Sequence, residues 1–193
     1  MQDLFNEGQI IARSFYQRSS PVVATEILGK YLVRKIGKKL LVGKIIEAEA
    51  YLGKDDQASH SYVGKTKRNE ILYGDAGFTY VHSIHRYHCL DIVTQTHDEP
   101  SSVLIRAIEP LMGVEMMKDS RGIDTEKGLT DGPGKICQAL QITREQNGID
   151  VTDPDSVLFV TDGEQISPDL IETSKRIGIS KAKDMLLRYR IKI

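Results

Sequence analysis

Hydrophobic and polar residues alternate most clearly between positions 40 and 51. Val42, Ile46, Ala48 and Ala50 share one parity, and Ile45, Glu47, Glu49 and Tyr51 share the other. That alternation predicts a strand over residues 40–51. On an extended strand, side chains two apart share a face about 7 Å from one another. Glu49 and Tyr51 are therefore expected to look into one space, an acid beside a flat ring, which suits hydrolysis of something planar. A companion strand is expected over 30–36, joined by a turn at Gly37-Lys38-Lys39, and three more over 78–84, 87–94 and 101–107. Residues 10–29 read as helical pieces, the second started by Ser20-Pro21 and ended by Gly29. Glu109-Pro110 is expected to open a helix running to about 119, with proline at a tolerated early position. Asp131-Gly-Pro-Gly leads into another helix over 135–140. The remainder reads as short strands and turns closing in a basic strand over 186–193. Strands in the middle with helices before and after predict an α+β fold with a largely antiparallel sheet. Residues 53–69 form a long polar loop, a length often reserved for function.

Composition narrows the classes. A chain of 193 residues, 40% hydrophobic and 27% charged, fits one domain with a sizeable core. No apolar run approaches the roughly 20 residues that span a bilayer, and the start, Met1-Gln2-Asp3-Leu4-Phe5, lacks the pattern of a signal peptide. Cys89 and Cys137 are far apart and are expected to be reduced core thiols in a cytoplasmic protein. The net charge of −1 carries no nucleic-acid signature as a total, but its distribution is uneven. Residues 175–193 hold seven basic groups against one acid, residues 145–172 hold eight acids and no lysine or arginine, and the loop Gly64-Lys-Thr-Lys67-Arg68 is basic. A cationic face of this kind is able to hold a polyanion; a solvated basic tail is the plainer reading.

Several groups are suited to chemistry. Glu49 at a strand end beside a ring fits a general base for water; the plainer reading is a surface ion pair with a lysine. Glu47 and Glu49 lie side by side on one strand, which does not place them across a scissile glycosidic bond as paired glycosidase carboxylates are, so one of the two is expected to be structural. Tyr51 and His82 are candidate stacking surfaces for an extruded base, or simply core rings. His82, His85, His88 and Cys89 invite a metal-dependent hydrolase, but three-residue spacing on a strand sends successive imidazoles to opposite faces. Lys67 and Arg68 in the polar loop, and Lys135 at a helix start, are placed to meet phosphates. The Walker spacing, the G-x-S-x-G elbow and G-x-G-x-x-G are absent.

The segments Glu47-Ala-Glu49-Ala-Tyr51-Leu-Gly53, Ala58-Ser-His60-Ser61, Gly77-Phe-Thr-Tyr80-Val81, Val103-Leu-Ile-Arg106-Ala107-Ile-Glu109-Pro110 and Asp131-Gly-Pro-Gly-Lys135-Ile-Cys-Gln-Ala-Leu140 follow one another in a recognisable order. Phe15-Tyr16 and Leu28-Gly29-Lys30-Tyr31-Leu32-Val33 precede them. Together they resemble the alkyladenine (3-methyladenine) DNA glycosylases of the type found in mammals and many bacteria, over residues 15–189. The resemblance implies a single mixed domain around a curved antiparallel sheet. It also implies a monofunctional enzyme, without metal or other cofactor, that flips an alkylated purine from duplex DNA and hydrolyses its N-glycosidic bond. By matched positions, Glu49 would activate the water and Arg106 would sit near that water and the target phosphate. Tyr51, His60, His82 and Asp91 would contact the base; Lys67, Arg68, His85, Arg86 and Lys135 are the expected DNA contacts. The partner would be damaged double-stranded DNA, and the protein a monomer.

The chain departs from the pattern at Tyr80-Val81-His82-Ser-Ile-His85-Arg86-Tyr87-His88. His82 stands for a second stacking tyrosine, His85 or Arg86 for an intercalating tyrosine, and Asp91 for an asparagine that reads the base edge. Those departures leave a non-catalytic nucleic-acid-binding relative as a competing reading.

Overall fold

In the computed structural model, strand β2 (Lys39–Tyr51) organises the molecule. The structure describes residues 10–96 and 99–192; the start of the chain, where no signal peptide was expected, and Ile193 at the end of the last expected strand lie outside them. The other elements are α1 (Arg13–Tyr16), α2 (Ser20–Glu26), β1 (Tyr31–Ile36), β3 (Thr79–Ile84), β4 (Tyr87–Thr94), β5 (Ser101–Met112), α3 (Val114–Arg121), α4 (Pro133–Ala139), β6 (Leu158–Thr161), β7 (Ile171–Ser174) and β8 (Arg188–Ile191). The strands form one eight-stranded sheet in the order β3-β4-β5-β2-β1-β6, with β8 on β2 and β7 on β8. Every pairing is antiparallel. β2 meets β5 along one flank, while its other flank is shared, β1 taking the first half and β8 the stretch from Glu47 to Glu49. Helix α2 packs on β2 and β5, α4 on β4 and β5, and α3 on α4. The α+β expectation holds, and among the described residues no helix is long and apolar enough to cross a membrane.

The alternation in β2 is interrupted. Register shifts against β5 fall between Ile45 and Glu47 and between Glu47 and Ala48. Ile45 consequently joins Ala48 and Ala50 in the main core, whereas Ile46 stays outside it. The unbroken parity expected over 42–51 is thus corrected by a bulge, which bends a strand and re-aims its side chains. Only beyond the bulge do Glu47, Glu49 and Tyr51 share the face that builds the site.

The helix expected from Glu109-Pro110 is also corrected. β5 continues through Pro110 to Met112, and α3 starts at Val114 behind Gly113, whose φ is +75°. β4 pairs only with Ser101 to Leu104, so beyond that point β2 is the one strand beside β5 among the described residues. A residue without an N–H is tolerated on such a flank, next to the register shift at Gly43. Cys89 and Cys137 are free and buried.

Two glycines set close approaches that the site needs. Gly53, with φ +84°, opens the turn that follows β2, and a Cβ there would stand 2.8 Å from the Pro100 carbonyl oxygen. Gly134 lets the β3–β4 hairpin settle on the start of α4, since a Cβ would meet Tyr87 Cβ at 3.0 Å.

Candidate active site

Beyond the bulge, β2 delivers Glu49 into full burial. Its Oε1 accepts the Ile177 N–H at 2.8 Å, its Oε2 accepts the Tyr51 hydroxyl at 3.0 Å, and Arg106 Nη1 on β5 lies 3.3 Å from Oε1. The surface pair with a lysine is therefore not what this carboxylate makes. Burial pushes its pKa above the usual glutamate value, while Arg106, the Ile177 amide and the Tyr51 hydroxyl pull the other way and do not fully compensate. Glu47, two residues earlier, accepts from Arg106 Nε at 3.0 Å and from Arg188 Nε at 2.7 Å. Burial pushes Glu47 up too, but its two arginines outweigh that and hold it below the usual range. The two acids are thus differentiated: Glu47 clamps arginines from β5 and β8 and is held low, whereas burial keeps the Glu49 carboxyl above its usual value. Burial and the adjacent Glu49 charge raise the Tyr51 phenol, which stays a donor.

A cavity of about 400 Å³ opens against this cluster. Tyr51, Arg106 and Ile177 form the wall directly in front of Glu49. His60, Tyr80, His82, Asp91 and Ser102 line the remainder. Here the rings are ordered by one another. Tyr80 and His82 stack at 5.1 Å with planes 23° apart, and His60 meets His82 edge-on at 4.5 Å. His60 Nδ1 and the Tyr80 hydroxyl are 2.9 Å apart. Burial and the neighbouring His82 lower the His60 pKa, which favours the neutral ring. Burial, together with Asp91, pushes the Tyr80 phenol up to about 12. Asp91 Oδ2 accepts from Ser102 Oγ at 2.9 Å, and Oδ1 lies 3.3 Å from His82 Nε2.

Of the expected base contacts, Tyr51, His60, His82 and Asp91 therefore gather in one cavity, and Arg106 joins them. The expected DNA contacts are scattered around it. Arg68 is exposed and donates to the Ser83 carbonyl at 3.2 Å; Lys67 is exposed beside it. His85, with φ +54°, and Arg86 form the exposed tip of the β3–β4 hairpin, and the preceding Ile84 lines the cavity. Lys135 is two residues from Pro133 in the cavity lining and pairs with Asp131 at 2.6 Å.

The metal reading finds no support in geometry: His82 faces Asp91 inside the cavity, His88 pairs with Ser83 at the surface, and His85 caps the hairpin. Among the described residues no group of three or more metal-binding side chains converges. The basic segment 175–193 is largely used internally. Lys175 pairs with Asp184, Arg176 with Asp56, Arg188 with Glu47 and Arg190 with Glu172, and Lys192 donates to the Asp169 carbonyl at 2.6 Å, which leaves Lys181 at the cavity and Lys183 exposed. Sequence reasoning missed Asp56, Tyr80, Ser102, Arg176 and Ile177 as parts of the site. Tyr80 was within reach, two residues before His82 on the same strand face; the Asp56–Arg176 pair spans 120 positions and has no local signal.

Comparison with known proteins gives the family. A family model described as methylpurine-DNA glycosylase matches residues 14–193. A protein of Carboxydothermus hydrogenoformans is 41% identical, with 95% of each chain covered. One of Clostridium perfringens (strain SM101 / Type A) is 43% identical over 94% of this chain and 95% of its own, and one of Methanoculleus marisnigri is 41% identical over 93% of both. All three carry the name "Putative 3-methyladenine DNA glycosylase". With a match across nearly the whole chain, and the buried Glu49 held behind a cavity wall that Tyr51 and Arg106 help to form, the chain belongs to the methylpurine-DNA glycosylase family.

Proposed function

We propose that Glu49 activates the hydrolytic water in this chain, which by its family is a DNA glycosylase of base-excision repair, an enzyme hydrolysing N-glycosyl bonds. The observation that carries the assignment is the placing of Glu49 directly behind a cavity wall made by Tyr51, Arg106 and Ile177. A carboxylate offers about four acceptor positions. Three face Ile177, Tyr51 and Arg106, leaving one for a water. In the free protein Glu49 is closed off, and catalytic contacts of this kind commonly form only in the complex. Leaving of the base develops positive charge on the sugar, which a preorganised carboxylate stabilises while it orients the water. An alkylated purine is itself cationic and leaves easily, so strong acid catalysis is not needed, and the electron-rich face of Tyr51 attracts such a ring.

Within this proposal the substrate is duplex DNA carrying an alkylated purine, flipped into the cavity between Tyr51 and the His60–His82 side. The protein acts as a monomer in the cytoplasm, where thiols such as Cys89 and Cys137 stay reduced; a sedimentation mass of one chain would agree, and a stable dimer would not. The test of the catalytic assignment is release of free base from methylated duplex DNA, with Glu49→Gln alongside. Release by the wild type also separates an enzyme from a binding relative, which would bind the lesion and leave it in place.

Two finer assignments follow from where the chain departs from its family. Asp91 puts a carboxylate on the cavity wall and is expected to favour cationic or 2-amino purines over neutral lesions. Asp91→Asn should lower the ratio of 3-methyladenine to hypoxanthine excision by about tenfold, well inside what a charge pair at contact distance supplies. Equal ratios in both proteins would remove the idea. The hairpin tip, His85 and Arg86, is proposed to fill the gap left by the extruded base, consistent with Ile84 reaching the cavity from the same turn. Alanine at both positions is expected to weaken lesion binding and excision by about tenfold, since flipping costs a few kcal/mol. If both stay at wild-type levels, the wedge lies elsewhere. Phosphate contacts through Lys67, Arg68 and Lys135 should appear as a steep loss of binding with salt.

A further inference from the structure

The segment that follows β7 does more than close the sheet. Arg176 and Asp56 form an ion pair in which neither side chain is exposed. The pair is bidentate: Arg176 Nη2 donates to Asp56 Oδ1 at 2.8 Å, and Nη1 donates to Oδ2. Nη1 also donates to the Ala50 carbonyl at 3.0 Å. The guanidinium carbon lies 4.6 Å from the centroid of the Tyr51 ring. Tyr51 lines the cavity and Arg176 does not, so the guanidinium backs the ring on the side away from the cavity. Asp56 in turn accepts the Leu52 N–H at 3.2 Å and the Ala58 N–H at 3.0 Å, fixing the turn that leads to His60. The next residue, Ile177, gives its N–H to Glu49.

A buried ion pair contributes little net stability, because removing two charges from water costs about as much as their attraction returns. The Arg176 Nε is, moreover, buried without a hydrogen-bond partner among the described residues. Such an arrangement is poorly explained by stability and well explained by position. One rigid fork ties together the end of β2, the stacking ring, the turn before His60 and, through one peptide unit, the catalytic carboxylate.

We infer that Arg176, held by Asp56, is a positioning residue that sets the Tyr51 ring and the Glu49 carboxylate in register with each other. The inference rests on the assignment of Glu49 as the water-activating group. It requires the fork geometry of arginine rather than charge alone, since an ammonium does not present paired donors to Asp56 and Ala50 while backing a ring. The charge has a second consequence. Arg176 is one of the groups that hold down the pKa of Glu49, with Arg106 on β5, Tyr51 on the same strand and the Ile177 amide; Arg188 on β8 and Cys89 on β4 also feel the Glu49 charge.

The experiment is a single-turnover series on methylated duplex DNA, with the half-saturating enzyme concentration and the pH profile measured for each protein. Arg176→Met/Asp56→Asn removes both buried charges together, so neither is left unpaired. It is expected to bind DNA within about threefold of wild type and to lose about 100-fold in rate, the penalty of a catalytic group displaced by an ångström or so. Its acid limb should move to higher pH, because Glu49 loses a nearby cation and its amide donor is no longer anchored. Arg176→Lys is expected to keep the acid limb near the wild-type position while losing about tenfold in rate with binding unchanged; it decides the matter should the double variant fail to fold. Lys175→Met, which breaks the adjacent exposed pair with Asp184, should leave all three readouts unchanged.

A folded double variant that excises at wild-type rate would overturn the inference. So would a rate loss matched by the loss of folded protein, with an unmoved acid limb. Glu49→Gln belongs in the same series. If it stays active, the assignment of Glu49 fails whatever Arg176 does. If it is inactive while both Arg176 variants behave as wild type, only the positioning role fails.

Discussion

Glu49→Gln is expected to abolish base release while leaving a protein that folds, binds DNA and is more stable at neutral pH. The glutamine amide can accept the Ile177 N–H in place of the carboxylate. It cannot take a proton from water, nor does it oppose positive charge building on the sugar. A fall in single-turnover rate of about 1000-fold or more is expected, combining loss of a general base and of a preorganised countercharge. The stability gain has a definite sign. Burial raises the folded-state pKa of Glu49 above its unfolded value. The protonated form is therefore favoured in the folded state, and its contribution is complete below the unfolded pKa and lost as pH rises through the folded one. At pH 7 the native protein carries the cost of an ionised, buried carboxylate that the variant lacks. A gain of roughly 0.5–2 kcal/mol is expected by urea denaturation at pH 7, shrinking as the pH falls and the wild-type carboxyl protonates. The same raised pKa places the acid limb of the wild-type rate profile above the ordinary glutamate range. Unchanged base release by this variant would refute the catalytic assignment.

Arg106→Met is expected to damage stability and chemistry together. Its guanidinium bridges Glu47 through Nε and Glu49 through Nη1, and the arginine and Glu47 side chains are each 12% exposed. Removing it leaves Glu47 with Arg188 alone and Glu49 without its nearest cation. Breaking a largely buried pair from one side costs about 3–5 kcal/mol, because the remaining charge stays desolvated. Glu49 should then ionise less readily, and the acid limb of the surviving activity should move upward. Arg106→Lys is expected to recover part of the stability, since an ammonium reaches one carboxylate but does not present two separated donors to both. Denaturation curves and rate profiles of the two variants, read together, test this. An Arg106→Met protein with wild-type stability and an unshifted acid limb would show that the bridge has no such part.

Legibility in the sequence followed the range of the interaction. The strand at 40–51 and the acid beside a ring were readable because they repeat every second residue; which of Glu47 and Glu49 is the structural one was readable only through the ordered motifs. The bulge was not, because Ile45 and Ile46 are equally apolar and only pairing with β5 decides which is buried. Pro110 signals a helix start locally, but β2 beside it makes an extended conformation the better one. The gathering of His60, His82, Asp91 and Arg106 was legible only through ordered motifs, since these residues come from a loop and three strands. Arg176 looked like one of seven basic residues in a tail, and nothing local distinguishes the one that is buried. The cationic stretch itself was misleading as a binding face, because four of its charges pair with acids of the same chain, two of those pairs largely buried and two at the surface.

The division of the flank of β2 between β1 and β8 has a consequence for biosynthesis. The ribosome releases Glu49, Tyr51, His60, Asp91 and Arg106 well before the segment holding Arg176, Ile177 and Arg188. Until that last segment emerges and docks, Glu49 lacks its main-chain donor and Glu47 lacks one of its two arginines. An unfinished chain thus holds these five side chains yet is expected to be inert, and a nascent chain stalled at residue 175 should leave methylated DNA intact.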